Sequence, residues 1–248
     1  MSSSDKLFVF GIHAVSALLA HQPERVIHLH VQKERQDKKI QAVIDLARQQ
    51  HIKVNVISKD ELERLTKNQV HQGIVAYCQK PKTFTENDLE VMLENLNEPP
   101  LLLILDGIQD PHNLGACLRS ADAAGVHAVI VPRDKSVSIT PTVSKVASGA
   151  AETIPFVQVT NLARTMDTLK DKGIWLYGAA GEATQSIYAA NLKGPIALVL
   201  GAEGEGLRRL TRERCDMLLN IPMKGSVSSL NVSVATGIFL FEALRQRQ

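Results

Sequence analysis

Hydrophobic and polar residues alternate over short distances in the first part of the chain. Apolar residues recur there with helical spacing in some stretches and with strand spacing in others. We predict helices at 12–20 and 37–50, strands at 26–31, 53–57 and 73–77, and a short helix opened by the capping box Ser58-Lys59-Asp60-Glu61. These elements form a compact α/β module.

Longer apolar runs separated by helical patterns occupy the second part of the chain. The candidate strands are 101–106, 128–131, 154–159, 174–178, 196–200 and 217–221. Near-continuous apolar strands between helices are typical of a parallel sheet covered on both faces. Ligands of such sheets bind beyond the carboxyl ends of the strands, so the loops after Leu105, Leu200 and Ile221 are the places to look for chemistry.

A polar and acidic stretch, FTENDLEVMLENLNEPP, separates the two parts and ends in a Pro-Pro pair that disfavours a helix. We therefore predict an N-terminal domain at 1–80, an acidic linker at 81–98 and a second domain at 99–248. The first carries 12 Lys and Arg against 8 Asp and Glu, and the linker carries one Lys against 5 acidic residues. A basic N-terminal domain permits phosphate binding, although a solvated surface with uneven charge explains the same numbers.

The bulk composition is that of an ordinary globular protein, with 44% hydrophobic residues in 248. Three widely separated cysteines argue against a disulfide framework and against a cysteine-type zinc site. The start of the chain lacks the pattern of a secretory signal, and no apolar run is long enough to span a membrane. We expect a cytoplasmic protein without a membrane partner.

The first candidate loop, DGIQDPHNLGACLR, leads into a helix. Asp110 or Asn113 could cap that helix. Arg119 could pair with Asp122 on the helix surface, or its guanidinium could grip a phosphate or another oxygen of a ligand. Asn113 and Arg119 can face one site only if Asn113 lies in the loop and Arg119 projects from the helix.

The second candidate loop, LGAEGEGL, follows the apolar strand at 196–200. Its three glycines allow close approach of the backbone to a ligand, but their spacing is neither a dinucleotide fingerprint nor a phosphate loop. Two glutamates in the loop would repel phosphates. The composition favours a cationic or hydroxyl-bearing ligand, such as a sulfonium cofactor or a ribose, although many glycine-rich loops are only turns.

The third candidate loop, IPMKGSVSSLNVSVA, runs into an apolar helix. Four serines and an asparagine in eight residues can cap that helix, and they exceed what capping needs. They could also bind a polar ligand. Metal binding is not predicted, because His28 and His30 share a strand face without a third ligand nearby. His112, in the first loop, is a weaker candidate for contact with a substrate.

Taken together, NLGACLRSADAAGVHAVIVP, LVLGAEGEGL and IPMKGSVSSLNVSVA resemble, in order and spacing, three motifs of the SpoU/TrmH family of RNA ribose methyltransferases. The segments GIHAV, VHQGIVA and KVASGAAETIP extend the resemblance over nearly the whole chain. It implies an L30-like N-terminal domain that binds RNA, a catalytic domain with a C-terminal trefoil knot, and a homodimer.

The same resemblance implies methyl transfer from S-adenosylmethionine to the ribose 2′-hydroxyl of a guanosine in 23S rRNA, without a metal. The alternatives are a tRNA ribose methyltransferase and a noncatalytic RNA-binding or ribosome-assembly protein on the same fold. By resemblance, the catalytic residues are Asn113, Arg119, Glu203, Ser229 and Asn231. The cofactor residues are Gly201, Ile221 and Leu230, with Leu200, Ala202, Gly204 and Pro222 as neighbours.

Overall fold

A computed structural model describes residues 6–33, 35, 37–202, 204 and 206–248. The chain folds as two compact units. The first contains the residues up to Lys82 together with Ile139–Thr153, and the second contains Thr83–Ser138 and Ile154–Gln248. Both units are mixed α/β structures, which confirms the predicted fold class.

The first unit has a four-stranded sheet with the order β1-β4-β2-β3, in which only β2 and β3 run parallel. Its elements are β1 (Lys6–Phe10), α1 (Ile12–His21), β2 (Val26–Gln32), α2 (Lys38–Gln49), β3 (Lys53–Ile57), α3 (Lys59–Thr66) and β4 (Ile74–Gln79). The helices and strands predicted for this part are confirmed. The strand β1 was not predicted, because five residues directly before a helix carry little periodicity.

One face of this sheet packs against α1 and α2, with Leu29, Ala76 and Val15 fully buried in the shared core. The helix α3 begins at the predicted capping box, in which Ser58 and Glu61 bind each other's backbone. Its Leu62 packs against the other sheet face beside Phe10. Helices α1 and α2 therefore cover much of one face, and α3 covers the second face at one end.

The second unit contains a seven-stranded sheet, and every strand pair in it is parallel. Its strands are β5 (Leu101–Asp106), β6 (Ala128–Pro132), β7 (Phe156–Val159), β8 (Trp175–Ala179), β9 (Gln185–Ser186), β10 (Ile196–Gly201) and β11 (Met217–Asn220). Its helices are α4 (Glu86–Glu94), α5 (Pro111–Ala123), α7 (Leu162–Asp171), α8 (Arg209–Arg214) and α9 (Val232–Arg247). All six predicted strands are present, and the two-residue β9 is additional.

The strand order β7-β6-β5-β10-β8-β11-β9 places two late strands between earlier ones. β10 lies between β5 and β8, and β11 lies between β8 and β9. This insertion of late strands is consistent with the trefoil knot that the resemblance implies. The general rule that protein chains do not thread through their own loops would have excluded such a knot. The insertion brings the chain after β10 and after β11 to the same end of the sheet as the chain after β5.

The residues between 83 and 98 do not form a plain linker. They contain α4, which begins with a capping box of Thr85 and Asp88 and buries Leu89 in the core of the second unit. Four of the five acidic residues that suggested a linker lie in this helix, and none of them is buried. Periodicity was weak here because a nine-residue helix has only one buried position.

The segment 139–153 belongs to the first compact unit, although the predicted boundary placed it in the second domain. It forms α6 (Pro141–Ala147) and a 3-10 turn at Ala150–Glu152. Glu152, 2% exposed, forms an ion pair with the buried Arg25. Gly149 has a φ of +107°, and a Cβ there would lie 2.6 Å from Cβ of Ala17. The division of the chain thus depends on contacts between residues more than 120 positions apart, as in the Arg25–Glu152 pair, at 127 positions.

Candidate active site

A cavity of about 710 Å³ lies at the carboxyl ends of β10, β8 and β11. Four chain segments and Arg212 of α8 line it, and three of the segments follow directly from these strands. The lining residues include 179–182, 200–202, Gly204, Gly206, Leu207, 219–221 and 228–232. The position agrees with the rule that parallel sheets bind ligands beyond the carboxyl ends of their strands.

The glycine-rich loop after β10 folds tightly against itself. A Cβ on Gly201 would lie 2.0 Å from the carbonyl oxygen of Gly206 and 2.4 Å from the amide of Leu207, so only glycine fits. Ala202 and Gly206 form an antiparallel bridge, and Gly204 and Gly206 have φ values of +78° and +66°. The glycines were predicted to let a ligand approach the backbone closely. At Gly201, it is the backbone of Gly206 and Leu207 that comes close instead. Glu203 and Glu205, in the same loop, lie outside the described residues.

Asp106, at the end of β5, anchors the far side of this loop. Its side chain is fully buried and accepts a hydrogen bond of 3.0 Å from the backbone amide of Arg208. Nε of Arg208 donates to the same carboxylate at 2.6 Å, and the guanidinium forms an ion pair with it. One carboxylate thus holds both the backbone and the side chain of Arg208 and fixes where the loop ends.

The segment after β11 supplies polar groups to the cavity. Nδ2 of Asn220 donates to the carbonyl oxygen of Ala183 at 2.7 Å. Oδ1 of Asn220 is buried and has no hydrogen-bond partner among the described residues. Because a buried acceptor without a partner is costly, a ligand donor at this point of the cavity would be favoured. Ser228, Ser229 and the half-buried Leu230 line the same side of the cavity.

The start of α9 is joined to the start of α5. Asn231 caps α9, and its Oδ1 accepts from the backbone amide of Ser233 at 2.9 Å and from the Ser233 hydroxyl at 2.6 Å. Nδ2 of Asn231 donates to Oδ1 of Asn113 at 3.0 Å. The capping interpretation of Asn231 is therefore confirmed, and the same side chain also links the first and third predicted loops.

Asn113 lies inside α5, not in the preceding loop as the sequence argument required. Asp110 is the cap of that helix and accepts from the backbone amide of His112, which confirms one of the two predicted caps. Asn113 projects from the first turn of α5 toward Asn231. The expectation was wrong because Pro111 is well suited to the first position of a helix, so α5 begins two residues before Asn113.

Two family models match the chain. Residues 8–84 match a model described as RNA 2′-O ribose methyltransferase substrate binding. Residues 100–241 match the SpoU rRNA Methylase family. The chain belongs to the SpoU rRNA methylase family. The resemblance inferred from the three motifs is thereby confirmed.

Other members of the SpoU rRNA methylase family match this chain over nearly its whole length. The chain is 59% identical to a 23S rRNA (guanosine-2′-O-)-methyltransferase RlmB of Pectobacterium atrosepticum, over 96% of this chain and 98% of the relative. It is 58% identical to the enzyme of the same name from Photobacterium profundum, over 97% of this chain and 98% of the relative. The SpoU methyltransferase AviRb from Streptomyces viridochromogenes, solved in complex with the cofactor AdoMet, superposes with a TM-score of 0.82 at 26% identity. That superposition covers 98% of this chain and 91% of AviRb.

The residues predicted for this SpoU methylase divide into those that line the cavity and those that do not. Six of the seven predicted cofactor residues line it: Leu200, Gly201, Ala202, Gly204, Ile221 and Leu230. Pro222 is exposed and does not line it. Among the predicted catalytic residues, Ser229 and Asn231 line the cavity, and Asn113 adjoins it through Asn231.

Arg119 lies on the exposed surface of α5, six residues after Asn113, and does not line the cavity. Glu203 falls among the residues that are not described. The roles of Arg119 and Glu203 therefore stay predictions from the resemblance.

Sequence reasoning missed an ion pair at the mouth of this SpoU methylase cavity. Glu182 and Arg212 both line the cavity and bind each other. Hydrogen bonds from its own backbone and from Arg212 lower the pKa of Glu182. Glu182 follows β8, whose carboxyl end points to the same sheet edge as β10 and β11, so the rule used for the other loops could also have found it.

The cysteines do not serve the site as nucleophiles. Burial raises the pKa of Cys117 to about 11 and the pKa of Cys215 to about 12, so both thiols stay protonated at neutral pH. Sγ of Cys117 instead lies 3.4 Å from Oγ1 of Thr236, in the contact between α5 and α9. No cluster of three metal-ligating side chains and no membrane-spanning helix occurs among the residues described in 6–248.

Proposed function

We propose that this protein methylates the ribose 2′-hydroxyl of a guanosine in 23S rRNA with S-adenosylmethionine as the methyl donor. The observation that carries the proposal is the hydrogen bond between Asn231 and Asn113 at the rim of the cavity. It joins two of the three family motifs at one point beside a pocket of suitable size, since ligand pockets commonly measure about 300–1,000 Å³. The names of the relatives with 59% and 58% identity support the substrate.

The cavity suits an adenosine-containing cofactor. Leu200, Ile221 and Leu230 supply apolar surface, and the backbone at Gly201 approaches from the β10 side. The unpartnered Oδ1 of Asn220 offers one buried acceptor for an amino or hydroxyl group. S-Adenosylmethionine, when bound, supplies an electrophilic methyl group on a sulfonium.

The chain's own task is to align a ribose oxygen with the bound methyl group and to assist its deprotonation. Arg119 contacts the target phosphate or the 2′-oxygen, and Asn113 and Asn231 orient the ribose. Ser229 assists positioning, and Glu203 orients Arg119. A guanidinium stays protonated in proteins, so Arg119 acts by stabilising negative charge on oxygen, and the 2′-hydroxyl proton passes to solvent.

The protein acts as a homodimer. Val234 and Phe241 on α9 are 50% and 49% exposed, although both are large apolar residues. With Gly237 and Ile238 they occupy positions i, i+3, i+4 and i+7 of the helix, which form one apolar stripe. An exposed stripe of this kind beside α5 favours burial against a second copy, which would bring a partner surface close to Arg119.

The N-terminal unit binds the RNA substrate, and the enzyme works in the cytoplasm, where ribosomal RNA is processed. The match of residues 8–84 to a substrate-binding model supports this assignment. The excess of 12 basic over 8 acidic residues in 1–80 has the sign that phosphate contacts need.

The test maps 2′-O-methyl groups on total RNA from cells with and without the gene. We expect one methylated guanosine of 23S rRNA to disappear without the gene and to return with the wild-type gene but not with Arg119→Ala. Loss of a tRNA methyl group with unchanged methylation of 23S rRNA would show that the substrate is tRNA, while the assigned reaction, ribose 2′-O-methylation, would stand. Unchanged methylation of both RNA classes would overturn the proposed function.

A further inference from the structure

The outer face of the first sheet carries an uncovered group of rings. At one end α3 covers this face, where Val75, Phe10 and Leu62 are buried. At the other end the face forms a shallow depression of about 390 Å³. We call its residues the ring patch: Lys6, Phe8, His28, His30 and Tyr77.

The rings of the patch form a connected row. The Tyr77 ring lies 5.1 Å from the Phe8 ring and 5.1 Å from the His28 ring, measured between centroids. His28 and His30 meet edge to face at 4.7 Å. Each of the four rings contacts its neighbour in the row, so the patch loses little side-chain freedom when a flat ligand binds.

A β-bulge in β2 assembles the patch. Val26 pairs with Cys78 on the core side, and the next pair joins His28 to Tyr77, with Ile27 as the extra residue. In a regular ladder without the bulge, Ile27 would pair with Tyr77, and His28 and His30 would point into the core. Bulges commonly re-aim side chains in this way. The bulge here serves no core contact, since Ile27 is 39% exposed.

The patch combines neutral rings with cations at its edge. Nε2 of His28 and Nε2 of His30 lie 3.0 Å apart and form a hydrogen bond in which either nitrogen can donate. Burial lowers the pKa of His28, and the nearby charge of Lys53 lowers it further. Burial also lowers the pKa of His30, and His28 adds to that effect, while the carboxylate of Glu61 acts in the opposite direction. Nζ of Lys6 lies 5.5 Å from the centre of the Tyr77 ring, and Lys53 pairs with His28 across β2 and β3. The carboxylate of Glu61, the acid that faces His30, accepts from the amide and hydroxyl of Ser58.

We propose that the ring patch stacks an unpaired RNA base and that Lys6 and Lys53 contact the phosphates on either side of it. This inference rests on the proposed function, because it assigns the part of the N-terminal unit that holds the RNA. Every nucleobase has a flat face that stacks on aromatic rings, and its phosphates require nearby cations. Flat rings bordered by lysines fit that ligand better than an apolar protein segment, which would favour aliphatic side chains.

The test uses the full-length protein and a single-stranded RNA of about 12 nucleotides that carries one 2-aminopurine. Stacking quenches the fluorescence of this base. Tyr77→Leu removes the ring and keeps apolar bulk, Tyr77→Phe keeps the ring, and Val56→Ala is the control on β3, outside the patch at a residue that is 64% exposed. We expect Tyr77→Leu to weaken binding about fivefold to a hundredfold and to lose the quenching, and the other two variants to match the wild type.

A second variant does not depend on packing between rings. We expect Lys6→Gln to bind the probe a few-fold more weakly and to lower the salt dependence of binding by about one ion. A blunt duplex of the same sequence should compete poorly, because its bases are already stacked. Cofactor affinity and thermal melting of each variant show that the rest of the protein is intact.

The inference would be overturned if Tyr77→Leu bound the RNA and quenched 2-aminopurine as the wild type does. If that preparation still methylated 23S rRNA, the proposed function would stand. Absence of methyl transfer by the wild-type protein would instead overturn the proposed function. A change of oligomeric state in Tyr77→Leu with unchanged RNA binding would mean that the face contacts another protein copy, and it would also overturn the inference.

Discussion

Nδ2 of Asn231 donates a hydrogen bond of 3.0 Å to Oδ1 of Asn113, so the first turns of α9 and α5 are held together by one amide pair. The same Asn231 caps α9 through its Oδ1. The side chain therefore has a structural role and a linking role, and a substitution can separate the two.

We predict that Asn231→Asp keeps the stability of the protein and lowers methyl transfer. Aspartate caps a helix as well as asparagine does, and its charge suits a helix N-terminus. Its carboxylate cannot donate to Oδ1 of Asn113, so Asn113 must turn its amide and donate instead. That moves the Asn113 oxygen and places a negative charge at the ribose site, and we expect a decrease in kcat of about 100-fold. Asn231→Ala, which also removes the cap, should lower the free energy of unfolding by about 1 kcal/mol in addition. Wild-type turnover by Asn231→Asp, measured with 23S rRNA, would contradict the linking role.

Gly201→Ala should disrupt the glycine-rich loop. The added Cβ would lie 2.0 Å from the carbonyl oxygen of Gly206, and backbone atoms cannot yield as a flexible side chain does. We expect a loss of about 3 kcal/mol in the free energy of unfolding and a loss of cofactor binding by calorimetry. Gly194→Ala is the matched control, because nothing lies within 4 Å of its Cβ position. Equal behaviour of the two variants would show that the loop can rearrange.

Asp106→Asn should loosen the loop from its other end. The variant keeps an oxygen for the Arg208 amide but loses the charge that holds the Arg208 guanidinium. We expect unfolding to become easier by about 2 kcal/mol and the cofactor to bind more weakly. The exposed pair of Arg209 and Glu213 serves for comparison, and Arg209→Ala should change stability by less than about 0.5 kcal/mol. A stable Asp106→Asn protein with normal cofactor affinity would refute the anchoring role.

Arg119→Ala should separate cofactor binding from turnover. Arg119 does not line the cavity, so the variant should bind S-adenosylmethionine as the wild type does. Its methyl transfer to RNA should fall by at least about 100-fold, because the charge on the reacting oxygen or phosphate is no longer stabilised. Arg119→Lys keeps the charge without the planar fork and should recover only part of the rate. Near-normal turnover of Arg119→Ala would remove this residue from the mechanism.

The stability of the N-terminal unit should fall as the pH drops below the ordinary histidine value of 6.5. Burial lowers the pKa of His28 and of His30 in the folded protein. The unfolded chain therefore takes up protons at a higher pH than the folded protein does, and protonation favours unfolding. The stability that the two neutral histidines contribute is fully present above pH 6.5, and it is lost as the pH falls toward their lowered pKa values in the folded protein. Urea unfolding measures the free energy of unfolding at about pH 7.5 and pH 5.5. Between these two pH values it should decrease less in the double variant His28→Gln/His30→Gln than in the wild type.

The sequence predicted most of the fold because the strands of the second unit are continuous apolar runs, as in Leu101–Asp106. It could not place the segment 139–153, since contacts such as Arg25 with Glu152 join residues that no local pattern connects. Motif order was enough to predict that Asn113 and Asn231 belong to one site. It did not show that Asn113 lies within α5, although Pro111 is a local signal for a helix that begins before Asn113. It could not show that Glu182 and Arg212 meet at the cavity mouth, because that contact depends on how late strands insert between earlier ones.

Methyl transfer by the purified protein tests the central claim most directly. The reaction contains S-adenosylmethionine with a labelled methyl group and either 23S rRNA or tRNA, and the modified nucleoside is identified after digestion. We predict that the label appears in 2′-O-methylguanosine from 23S rRNA and that Arg119→Ala, with unchanged cofactor affinity, gives almost none. Label on a base, or no transfer to either RNA by a protein that binds the cofactor, would contradict the account.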